Sequence, residues 1–78
     1  MVTPMDKATL REHLELANRL VTAGHQHIER QREVIRRLER DGHDSREANW
    51  LLGTFEHLLR IHVRDRDRLE RAIARDPN

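Results

Sequence analysis

Residues 40–47, Arg40-Asp41-Gly42-His43-Asp44-Ser45-Arg46-Glu47, decide how this chain folds. Gly42 has no Cβ to clash with the following carbonyl, so it can take the left-handed conformation that closes a helix. Asp44 can cap the next helix, with Glu47 three residues on completing a capping box; Ser45 is the alternative cap and moves the boundary by one residue. A helix stop and a helix start therefore stand side by side near the middle of the chain, where a single continuous rod has no use for either.

Toward the amino terminus, Leu10, Leu14, Ala17, Val21, Gly24, Ile28, Gln31, Ile35 and Leu38 alternate spacings of four and three. That is a heptad seam, interrupted by Gly24 and Gln31. Pro4 is pre-organised for a first helical position and Thr3 can cap it, which places Asp6 at the third position of the helix. Toward the carboxyl terminus, Ala48, Leu51, Phe55, Leu58, His62, Asp65, Leu69 and Ala72 repeat the spacing. Leu20 and Val34 widen the first stripe, and Leu52, Leu59 and Ile73 widen the second.

A short turn makes the two helices antiparallel neighbours. Counting outward from it pairs Leu38 with Ala48, Ile35 with Leu51, Gln31 with Phe55, Ile28 with Leu58, Gly24 with His62, Val21 with Asp65, Ala17 with Leu69 and Leu14 with Ala72. The expected fold is all-α: a single helical-hairpin domain over residues 1–78, with helices over about 4–41 and 45–75. Each stripe is broader than a two-stranded coiled coil requires, and a chain of 78 residues encloses little interior of its own. With no cysteine to staple it, the hairpin is expected to form a homodimer, or a higher homo-oligomer, by closing into a four-helix bundle. Leu16, Leu20, Val34, Trp50, Leu52, Leu59 and Ile73 are the candidate interface. Trp50 lies off the seam, as Leu16 does on the first helix; an indole there either meets a partner or lies flat over its own hairpin.

The middle of the seam is polar. Gly24, His27, Gln31, His62 and Asp65 are expected near one another, and two histidines with a carboxylate are a donor set for a transition metal or a held proton acceptor. A polar layer that fixes register is the reading adopted, with small histidine-based metal binding as an alternative. His25 and His27, two apart on a helix, point in different directions and cannot chelate together. His13 lies farther toward the amino end, His43 in the turn and His57 outward. No HExxH sequence, nucleophile constellation or glycine-rich phosphate loop occurs, so no catalytic residue, cofactor or metal is expected.

Arginines gather near the carboxyl end, and Arg60, Arg64, Arg68, Arg71 and Arg75 form a candidate anion-binding face. Asp65, Asp67 and Glu70 stand among them, and Glu56 with Arg60, Asp67 with Arg71, Glu15 with Arg19 and Glu33 with Arg37 have ion-pair spacing. Fifteen basic residues against fourteen acidic ones leave a net charge of +1, too little to draw a polyanion to the whole molecule. Neither a span of apolar residues nor the start MVTPMDKATL offers a membrane helix or an export signal, so a cytoplasmic location is expected.

The stretch RQREVIRRLERDGHDSREANWLLGTFEHLLRIHVRDRDRL, residues 30–69, resembles small uncharacterised bacterial arginine-rich helical-hairpin proteins. The resemblance implies a small bacterial cytoplasmic protein and carries no activity onto named residues. Three readings of function stand: a non-enzymatic structural or regulatory interaction module acting through self-association, with an unknown protein as a further partner; a nucleic-acid-associated protein using the carboxyl-terminal arginines; and a small metal-binding protein. Salt-sensitive binding to duplex DNA selects the second, and stoichiometric zinc uptake lost in His62→Ala selects the third.

Overall fold

The structure, a computed structural model, describes residues 6–75. Two helices, α1 (Lys7–Arg40) and α2 (Arg46–Arg75), lie antiparallel as one hairpin, and no strand is present among the described residues. The hairpin measures 57 × 21 × 14 Å. It is one helix thick, which limits how completely any side chain can be enclosed.

Helix α1 starts at Lys7, and the expected start at Pro4 lies outside the described residues. Asp6 has extended backbone (φ −75°, ψ 171°), its carbonyl accepts from the Leu10 amide at 2.9 Å, and its carboxylate accepts from the Thr9 amide at 2.8 Å. Asp6 is therefore the N-cap, not a residue of the first turn, because its short acidic side chain satisfies an amide that the helix leaves free. The expected cap at Thr3 lies outside the described residues.

At the other end of α1 the chain closes as the glycine signal requires. Gly42 has φ +73° and donates its amide to the Glu39 carbonyl at 3.2 Å, while His43 donates to the Leu38 carbonyl at 2.8 Å. These paired bonds are the Schellman arrangement, with Gly42 at the left-handed position. Of the two cap candidates for α2, Ser45 holds the cap position: its carbonyl accepts from the Asn49 amide at 2.9 Å, and Asn49 Nδ2 donates back to it at 2.9 Å. Asp44 accepts from the Arg46 amide at 3.0 Å and is gripped by the Arg46 guanidinium, which takes the place of the expected capping box with Glu47.

The tight turn sets a register different from the expected one. Gln31 Nε2 donates to the Ala48 carbonyl at 2.9 Å rather than facing Phe55. The Phe55 ring instead stacks on His27, with centroids 5.6 Å apart, and Gly24 meets Leu59 rather than His62. Near the open end, Leu69 and Ala72 share a hollow with Leu10 and His13. The partners of Gly24 and Phe55 are thus shifted by about one helical turn, and Gln31 reaches a carbonyl seven residues before Phe55. The bond from His43 to Leu38 draws the start of α2 back alongside Leu38, so the pairing begins sooner than an outward count from Leu38 and Ala48 assumes.

Ala17, Val21, Ile28, Ile35 and Leu69 are the buried hydrophobic residues, spaced as the seam requires. Full burial of a valine, isoleucine or leucine side chain stabilises by roughly 1.5–3 kcal/mol, an upper bound for these four larger residues. The flanks of the seam are unequal, and that inequality positions the candidate site.

Candidate association surface

Among the described residues six large apolar side chains remain exposed: Leu16, Leu20 and Val34 on α1, and Trp50, Leu58 and Ile61 on α2. At about 100° per residue, the three on α1 lie to one side of the buried Ala17–Ile35 stripe, and the three on α2 lie to one side of Leu69. Because the helices run in opposite directions, these two sides are the same face of the hairpin. Two hollows along it agree with that geometry. One joins Leu20, Gly24 and His27 to Phe55, Leu58 and His62 at mid-length; the other joins Gln31, Val34 and Leu38 to Ala48, Trp50 and Leu51 near the turn.

Leu52, Leu59 and Ile73 differ from the others expected at the interface. All three are half-buried. Leu52 leaves α2 on the side opposite Trp50 and Ile61, so the flank that the sequence presents as one is divided. Leu59 is drawn inward by Gly24: a Cβ placed on that glycine would lie 3.1 Å from Leu59 Cδ1. Leu58, expected in the seam opposite Ile28, is rotated outward and is 43% exposed. Ile61, which the seam pattern passed over, is 46% exposed, and its spacing from Trp50, Thr54 and Leu58 is the signal that could have found it. On the opposite face the Arg32 guanidinium lies 3.9 Å from Glu56, a carboxylate expected to pair with Arg60.

The polar centre is partly assembled. Gly24, His27 and His62 border the same mid-length hollow, and Gln31 is committed to the Ala48 carbonyl. Asp65 is not part of that group: it accepts from Arg68, one turn along its own helix, and so does not hold His62. The local i,i+3 partner wins because a flexible guanidinium reaches it without any demand on the hairpin. Among the described residues no three histidine, aspartate or glutamate side chains converge on a point. His43 and His57 are exposed, and His13 borders the hollow near Leu10 and Leu69.

The arginine face is also partly neutralised. Arg64, Arg68 and Arg71 surround a shallow depression that Ile61, Asp65 and Asp67 share. Arg68 is bound to Asp65, and Arg66 holds Asp67 at 3.2 Å, so Asp67 is turned from its expected partner Arg71. Arg60, Arg71 and Arg75 are exposed. Glu33 meets Arg37 at 3.5 Å as its spacing implies, and Arg36 more closely at 2.7 Å. The Arg36 hydrogen bond holds Glu33 below the ordinary carboxylate range; Arg46 does the same for Asp44, and the Thr9 amide does so for Asp6. All of these lie on the surface, where solvent screens their contribution.

No helix among the described residues is long and apolar enough to cross a membrane. Comparison of the chain with protein families, curated proteins and solved structures finds no match.

Proposed function

We propose that the chain is a non-enzymatic interaction module that acts by self-association, two copies closing their apolar faces into a four-helix bundle as a structural or regulatory unit of the cytoplasm. One observation carries the reading: six large apolar side chains stay exposed on a single face of a hairpin only one helix thick. Scattered surface leucines need no explanation, but six large apolar side chains gathered on one side do. The broad side of the hairpin that carries them measures about 57 by 21 Å, with room for the ~800 Å² per partner that a stable interface buries. Covering it with a second copy also gives the seam the enclosure that two helices cannot provide.

Sedimentation of the native chain at micromolar concentration is expected to show a dimer or larger species. Leu58→Arg and Leu16→Arg, both at exposed positions on the open face, are expected to shift the chain toward monomer while preserving helical content. Leu59→Arg is a poorer probe, since Leu59 packs against Gly24 within the hairpin. A native chain that sediments as a folded, concentration-independent monomer refutes the proposal.

A further inference from the structure

Trp50 is the chain's sole tryptophan and is 70% exposed, the largest exposure among the large apolar residues that the structure describes. On the same face, at mid-length, lies a hollow of about 270 Å³ walled by Leu20, Phe55, Leu58 and Leu59, with His27 and His62 at its border. Gly24 helps to make the recess by contributing no side chain there. The recess has the size and apolar walls to take one bicyclic side chain, with imidazoles at hand for the indole N–H. Trp50 cannot fill its own hollow, because it precedes Leu58 by eight residues of a continuous helix, about 12 Å along the axis.

Projection and recess therefore belong to one face but require two molecules. We propose that Trp50 of each copy seats in the mid-length hollow of a second copy, reciprocally, about a two-fold axis that crosses the hairpin near Thr54 and His27. The inference rests on the self-association reading. An axis halfway between Trp50 and Leu58 sends each Trp50 onto the partner's hollow, and the same rotation lays Val34 over the partner's Leu20. Such an interface is isologous and closes at two copies. It sets the helices of the two hairpins antiparallel, with their turns at opposite ends. About 40 Å of each hairpin then overlaps, at 1.5 Å per residue on either side of the axis, and at a width of 21 Å this overlap still provides an interface of ordinary size.

Because there is no second tryptophan, intrinsic fluorescence reports the seating directly. At concentrations where sedimentation shows dimer, emission is expected to be blue-shifted, and dilution should shift it to the red with the same midpoint as dissociation. Trp50→Ala should weaken the dimer at least tenfold, as removal of an anchoring aromatic does. The chain lacks cysteine, so spin labels on His43→Cys should report one distance between turns, about 40 Å for the antiparallel axis and below about 25 Å if the turns lie at the same end. A dimer whose Trp50 emission stays that of an exposed indole, or whose affinity survives Trp50→Ala, overturns the seating alone. Labels at the short distance overturn the axis on which reciprocal seating depends. A native monomer overturns both this inference and the self-association reading.

Discussion

Gly53→Ala should stabilise the protein. Gly53 lies inside α2, is exposed, and has ordinary helical backbone rather than positive φ. An added Cβ would meet nothing within 4 Å. Alanine in an exposed helix interior is favoured over glycine by about 0.8–1.0 kcal/mol, mostly because the unfolded chain loses freedom. Nothing in the surroundings subtracts from that figure, since the position points away from both the seam and the open apolar face. For a domain of this size about 1 kcal/mol corresponds to a rise in Tm of about 4–8 °C. Thermal melting followed by far-ultraviolet circular dichroism measures it, with native chain and variant at equal concentration because association makes Tm concentration-dependent. Gly24→Ala is the internal contrast: the same propensity gain is offset by a contact at 3.1 Å with Leu59 Cδ1, which must move aside. An unchanged or lowered Tm for Gly53→Ala would refute the placement of Gly53 on an uncovered, regular stretch of α2.

Gly42→Ala should act in the opposite direction, lowering stability by about 1–2 kcal/mol, because an L side chain at φ +73° meets the following carbonyl; an unchanged melt would contradict the left-handed turn. Ile28→Ala, in the buried stripe, should cost about 2–5 kcal/mol and be seen in denaturant titration as a large loss of midpoint, whereas a loss below about 0.5 kcal/mol would show that the stripe is not the core. Gln31→Leu should lower stability by about 1 kcal/mol by removing the bond to the Ala48 carbonyl, and a stabilised variant would show that apolar filling outweighs that bond. Asp6, Glu33 and Asp44 have carboxyl pKa values held below their ordinary ones by the Thr9 amide, Arg36 and Arg46. A depressed folded-state value means that their stabilisation is present above the unfolded pKa, near 4, and is lost as pH falls through the folded values. Helical content should therefore vary little on their account from neutral pH to about 5 and decline below about 4, more weakly in Asp6→Asn; a decline of equal size in Asp6→Asn would dissociate the acid response from the cap.

The turn and the two stripes were legible because their causes are local. Gly42 needs only its own φ, and Ala17, Val21, Ile28 and Ile35 need only the helical repeat. Register was less legible: a heptad pattern slid by one turn still sets apolar residues against apolar residues, and the choice was made by the bond from His43 to Leu38. Exposure was legible at Leu16, Leu20, Val34 and Trp50, whose displacement from the seam is large. It was misread at Leu58 and Leu59, neighbours about 100° apart on the helix. Which of the two turns inward depends on what faces them, and Gly24 opposite α2 admits Leu59. The proximity of His62 and Asp65 in sequence likewise said nothing of Arg68, the competitor that takes the carboxylate.

All cross-helix pairs are nested around one turn, and this orders the way the hairpin comes apart. Bringing Leu10 beside Ala72 in an otherwise open chain closes a long loop, but beside an already formed layer it fixes only the next few residues. Formation should proceed as a zipper from Gly42, each layer lowering the entropic cost of the following one, and opening should retrace it from the far end. Amide hydrogen exchange would then be slowest from Ile28 through Ile35 and along the first turns of α2, and fastest toward Lys7 and Arg75. Truncation from the open end would shorten a folded hairpin layer by layer, whereas a cut at the turn would convert folding into a bimolecular encounter between two peptides.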